Sequence, residues 1–162
     1  MTAVLMFHRV RPATPVAFGL PDCYRVRGTS LTPDEFERVL DNAAPFVSLD
    51  RLEIALGSGL RPPDGTVLTF DDGYREHLDW VVPRLRQRGA TGTFYISTGI
   101  HGDAPRVSIV DAWYWLLDHA RRPDFRMRFP SGRELQARID TLKGKEHWVT
   151  GEPKRVLLES GP

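Results

Sequence analysis

The stretch that most constrains this chain is Thr66-Val67-Leu68-Thr69-Phe70, an apolar run that ends in two adjacent carboxylates and a glycine, Asp71-Asp72-Gly73. Threonine, valine and phenylalanine favour a strand. From Tyr74 to about Arg88 the pattern reads as helix, with Leu78, Val81, Val82 and Leu85 as its buried stripe. Pro83 inside that pattern calls for a kink or a late start. A strand that gives way to a helix at its C-terminal end is where α/β proteins place their chemistry. If strand geometry persists, Asp71 and Asp72 point to different sides of the chain. One then faces a ligand pocket, and the other a metal or a helix N-terminus. Gly73 allows the backbone to turn sharply or to approach a ligand closely. The same triplet is also ordinary turn chemistry, with Asp as a helix cap and Gly at positive φ. On its own it leaves both readings open.

The flanking sequence places this strand in a β/α alternation. Ala3-Val4-Leu5-Met6-Phe7 is a continuous apolar run, the pattern of a strand buried on both faces in a parallel sheet. His8 follows at its end. Residues Arg11 to Thr29 are rich in proline and glycine and show no clear period, which reads as a surface loop at a pocket rim. Thr32-Pro33-Asp34-Glu35 is a capping box with proline at the first helical position, and it opens a helix expected to reach Ala44. Phe46 to Leu49 reads as a short strand, and Asp50 as the cap of a second helix ending near Gly57. Gly89 fits the C-cap of the helix after the carboxylates. Ala90-Thr91-Gly92-Thr93-Phe94-Tyr95-Ile96 reads as the next strand. Strands and helices in this order predict a parallel sheet with right-handed crossovers. Further on, Ser108 to Ala120 reads as a helix, Phe125 to Phe129 as a strand, Glu134 to Leu142 as an amphipathic segment, and Lys154 to Glu159 as a last helical turn.

Composition narrows the function classes. A net charge of +1 over 162 residues gives no electrostatic footprint for nucleic acid. The single cysteine, Cys23, has no partner for a disulfide or a cysteine-based metal site. No stretch approaches the roughly 20 apolar residues of a membrane span. Met1 to Val10 is too short and wrongly flanked for a signal peptide. A cytoplasmic protein is the expectation.

Three segments carry a resemblance to a known family. Leu5-Met6-Phe7-His8-Arg9-Val10, Leu68-Thr69-Phe70-Asp71-Asp72-Gly73-Tyr74 and Ala90 to Gly99 resemble, in order and spacing, the first strand, first catalytic motif and following strand of the polysaccharide deacetylases. This is the NodB-homology domain of carbohydrate esterase family 4. The match covers residues 3 to 99 well and 100 to 162 loosely. The resemblance implies an α/β fold, a parallel-stranded, incomplete or distorted (β/α) barrel. It implies metal-dependent hydrolysis of N-acetyl groups on an amino sugar or glycan, making the chain a hydrolase of carbon–nitrogen bonds other than peptide bonds. By position, Asp71 is the general base and Asp72 the ligand of a divalent metal, expected to be zinc. A metal polarises the amide carbonyl and acidifies bound water, and a carboxylate outside its coordination takes the proton. His8, Tyr74 and His101 are candidates for the pocket lining.

The chain also departs from the family pattern. The family completes its metal site with a His-x-x-x-His motif, and the histidines here, His8, His77, His101, His119 and His147, nowhere have that spacing. His77, His119 and His147 read as surface residues. Residues 100 to 159 resemble a helical insertion that precedes the histidine motif in some members, so that 1–99 form the N-terminal part of the domain and 100–162 its extension. On that reading the chain is an N-terminal fragment, or a half completed by a second chain. Trp113, Tyr114 and Trp115 read either as sugar-stacking residues or as core. Two functions therefore stand side by side: a metal-dependent deacetylase, and a degenerate or truncated domain that binds carbohydrate or a protein partner without catalysis.

Overall fold

The computed structural model describes residues 1–100, 106–129 and 132–159. In chain order the elements are β1 (Thr2–Phe7), β2 (Arg9–Val10), a 3-10 turn (Ala17–Gly19), α1 (Cys23–Arg27), β3 (Ser30–Leu31), α2 (Pro33–Ala43) and α3 (Leu49–Gly57). There follow β4 (Gly65–Phe70), a π-helical turn (His77–Val81), α4 (Val82–Gln87), β5 (Gly92–Phe94) and a second 3-10 turn (Thr98–Ile100). The remainder is α5 (Ile109–Asp118), β6 (Asp124–Arg128), β7 (Glu134–Arg138), α6 (Leu142–Thr150) and α7 (Glu152–Glu159). The chain divides into two compact units, Met1–Pro12 with Thr29–Ala104, and Ala13–Gly28 with Pro105–Pro162.

The first unit is α/β. Its sheet has the order β1-β4-β5, all parallel, with Phe7 opposite Phe70 and Phe70 opposite Phe94. Those three rings stack along one face, 5.1 and 4.8 Å between centroids. Phe36 and Leu40 of α2 and Val81 and Leu85 complete the core on that face. On the other face Val67 packs on Val47 and Leu52, so the central strand is covered on both sides. This is the arrangement a parallel strand requires. A small parallel pair, β2 with β3, lies beyond the end of β1. Among the described residues the strands form no closed barrel.

The helix starts follow side-chain caps. Thr32 and Glu35 make the expected reciprocal capping box of α2. The cap of α3 is Ser48, not Asp50, because the Ser48 hydroxyl accepts from the Arg51 amide. Phe46 makes a single bridge to Thr66 in place of a strand. Helix α2 ends at Ala43, since Ala44 has already turned to extended geometry.

The second unit contains α1, α5, the antiparallel hairpin β6–β7, α6 and α7. The stretch expected as surface loop contains α1, capped by the Asp22 carboxylate, with Cys23 and Tyr24 buried. Segment 134–142 begins as a strand, with every second residue half-buried, because its apolar positions follow the period of two across the hairpin. Trp113, Phe125 and Trp148 form an aromatic core, and the Trp113 indole N–H donates to the Trp148 carbonyl. No helix of the described residues is long and apolar enough to cross a membrane.

Candidate active site

The carboxylate pair lies where β4 stops. The last carbonyl of β4, that of Phe70, accepts from the Tyr95 amide at 2.8 Å, and the Asp71 amide donates to the Phe7 carbonyl at 2.9 Å. The sheet is thus pinned on both sides of the strand end. Strand geometry stops there: Asp72 has φ 70° and Gly73 φ 67°. Two successive left-handed residues reverse the chain. Asp is among the few residues with a side chain that enter this region readily, and Gly has no side chain to clash. The two carboxylates are therefore separated by a turn rather than by strand alternation.

Their surroundings differ. Asp71 Oδ2 lies 4.0 Å from His8 Nε2, and both side chains are about a quarter exposed. Asp72 is hydrogen-bonded by the Tyr74 hydroxyl. Burial and the neighbouring Asp72 charge push the Tyr74 phenol well above its ordinary range, so it stays a donor. The Arg9 guanidinium lies over the Tyr74 ring, 4.2 Å from its centroid, and binds both carboxylate oxygens of Glu76.

His77 is not a surface residue. It is 2% exposed, and its ring is packed among Phe70, Tyr74 and Phe94 at centroid separations of 5.5 to 6.0 Å. The π-helical turn explains the difference. Its wider winding, closed by the Val82 amide on the His77 carbonyl, moves the buried stripe from Leu78, which is 70% exposed, to His77. His77 Nε2 lies 2.6 Å from the His8 carbonyl oxygen. Burial pulls the imidazole below its ordinary value, against the opposing pull of that hydrogen bond.

Of the expected site residues, then, His8, Asp71, Asp72 and Tyr74 share one end of the sheet. His101 falls outside the described residues. In the second unit, His119 and His147 are exposed, Trp113 and Tyr114 are core, and Trp115 is exposed. Arg9 and Glu76, to which the sequence assigns no site role, join the cluster, and so does His77, against its reading as a surface residue. The nearest available signal was the proline at 83, which marks the irregular helix start that carries Glu76 and His77 to the sheet. A groove of about 590 Å³ between β1 and α2, lined by Leu5, Leu31 and Val39 among others, does not include the carboxylates.

Among the described residues no three His, Cys, Asp or Glu side chains converge as a metal-holding group. A catalytic zinc takes three protein ligands. The described residues alone do not fit that requirement.

No family model matches the sequence, and no curated protein matches it. Solved structures that are similar include two deacetylases. One is a deacetylase, PplD of Streptococcus pyogenes in complex with acetate, at 20% identity and a TM-score of 0.47, over 72% of this chain and 52% of that one. The other is a de-N-acetylase from Aggregatibacter actinomycetemcomitans, at 18% identity and a TM-score of 0.47, over 83% of this chain and 60% of that one. The chain spans between half and two-thirds of the length of these structures.

Proposed function

We propose that this chain is a deacetylase-like protein that hydrolyses N-acetyl groups of an amino sugar or glycan, with Asp71 as general base. The observation that carries this reading is the unequal setting of the two carboxylates. Asp72 is engaged by the Tyr74 hydroxyl, while Asp71 is partly exposed beside His8 at the end of the central strand. A carboxylate with an open face accepts a proton from an attacking water. The His8 imidazole, 4.0 Å from Asp71 Oδ2, is beyond hydrogen-bond distance and acts on the carboxylate through space when it is protonated. Asp72, beside the Tyr74 hydroxyl, is the carboxylate this reading assigns to a cation only if further donors complete the site. A divalent metal in this reading would need donors beyond the described residues, among which no three ligands converge.

A specific observation favours a second reading, a domain that binds a glycan or protein without catalysis: the metal-holding set is incomplete among the described residues. The two separate in one experiment. Acetate release from an N-acetylglucosamine oligomer is followed with wild type and Asp71→Asn, each with and without added zinc. Release by wild type that is lost in Asp71→Asn supports hydrolysis. No release under any condition, with the oligomer still retained in a binding assay, leaves the non-catalytic reading.

A further inference from the structure

We infer that His77 is a positioning residue, which holds His8 opposite Asp71 through the hydrogen bond between its ring and the His8 backbone. Residue 8 is a one-residue break in the ladder. Before it, the Phe7 carbonyl is taken by the Asp71 amide. After it, the Arg9 amide donates to the Thr29 carbonyl. The His8 carbonyl is met by the His77 ring at 2.6 Å. A carbonyl only accepts, so Nε2 of His77 carries the hydrogen and Nδ1 is bare. Nδ1 is buried and finds no hydrogen-bond partner among the described residues. A leucine would fill this aromatic cage without leaving a buried nitrogen unsatisfied. What the imidazole adds is the grip on residue 8. Its neighbour Glu76 grips the side chain of Arg9. Glu76, at the N-cap of the wide turn, and His77, its first residue, thereby clamp the two residues that follow β1, and the imidazole of His8 is left 4.0 Å from Asp71.

The inference deepens the proposed function and rests on that reading for its purpose, but its test needs no hydrolysis. The intact chain is labelled with 15N-histidine and studied by NMR. In wild type, His77 is expected as the Nε2–H tautomer, and Asp71→Asn shifts the ring nitrogen signals of His8. In His77→Phe the packing ring is kept and the donor removed; His8 then stops responding to Asp71→Asn. In His77→Gln the side-chain amide restores a donor, and the response returns. A purely structural His77 would lower the Tm in both variants and leave the response intact. Overturning results are an Nδ1–H tautomer in wild type, no response of His8 to Asp71→Asn in wild type, or a response that survives His77→Phe. If His77→Phe does not fold, the wild-type tautomer and the response in His77→Gln decide. Loss of acetate release with these couplings intact would refute the proposed function and leave the positioning role standing.

Discussion

The Arg9 guanidinium sits between the Tyr74 ring, 4.2 Å away, and the carboxylate of Glu76. Both charged side chains are four-fifths buried or more. Glu76→Gln keeps the shape and removes the charge opposite a guanidinium that is four-fifths buried. Hydrogen bonds to charged groups contribute about 1.5–3 kcal/mol, and the variant is expected to lose about that much. The urea midpoint with unchanged m measures it. A midpoint within experimental error of wild type would show that the Glu76 charge adds nothing measurable to the hold on Arg9.

Asp72 sits at φ 70°, so substitutions there test conformation and charge separately. A residue with Cβ in this region costs about 1–2 kcal/mol, less for Asn or Asp. Asp72→Asn is therefore expected to keep the Tm within a few degrees, whereas Asp72→Val lowers it clearly. If Asp72 is a cation ligand, zinc retained after dialysis falls in Asp72→Asn with the fold unchanged. Alanine is the poorer choice, because it changes backbone strain together with the ligand. Equal zinc content in wild type and Asp72→Asn would exclude this carboxylate.

The parts legible in the sequence were those set by local chemistry. The capping box of Thr32 and Glu35, the strands β1 and β4, and the break at Asp71-Asp72-Gly73 follow from neighbours in sequence, but β1 is not buried on both faces as its apolar run implies, since Val4 and Met6 are exposed. What escaped was set by distant contacts. Cys23 and Tyr24 lie in a stretch with no periodicity, and α1 exists because Asp22 caps it and buried partners from α5 receive it. A stripe at 3.6 residues per turn puts His77 on the surface. The π-helical turn breaks that period over a single winding, which no window of a dozen residues detects. Arg9 and Glu76 are 67 positions apart, and only the fold brings them together.

The setting of His77 also dictates a pH dependence. Its folded value lies below the ordinary 6.5 because burial disfavours the imidazolium. Between that ordinary value and the lower folded one, the unfolded chain binds a proton that the folded chain does not. Stability from this group is thus complete above about pH 6.5 and declines as pH falls below it, by up to about 1.4 kcal/mol per pH unit. His77→Gln should flatten the decline. Urea midpoints for both proteins between pH 7.5 and 5 measure it, and parallel curves would assign the dependence to another group.

In the second unit, Asp118 is the centre of a buried polar cluster. Its Oδ1 accepts from Lys145 Nζ at 2.7 Å and from the Cys23 thiol at 3.0 Å, and its carboxylate also takes the Cys23 amide. Lys145 donates in addition to the Pro21 carbonyl at 2.7 Å. Burial, and then the Asp118 charge, push the Cys23 thiol far above its ordinary value. The thiol of the folded protein should therefore react with iodoacetamide only through opening of this cluster. Lys145→Met removes one partner of a buried pair, and such a loss typically costs about 3–5 kcal/mol by leaving the other charge uncompensated. Alkylation of Cys23 should then accelerate by roughly two to four orders of magnitude in native buffer, since the rate follows the population of the open form. Removing both charges, Lys145→Met with Asp118→Leu, should recover much of the protection, because no unpaired charge remains inside. If the single variant alkylates as slowly as wild type, the ion pair does not hold α1 in place, and the aromatic contact of Tyr24 with Tyr114 carries that role.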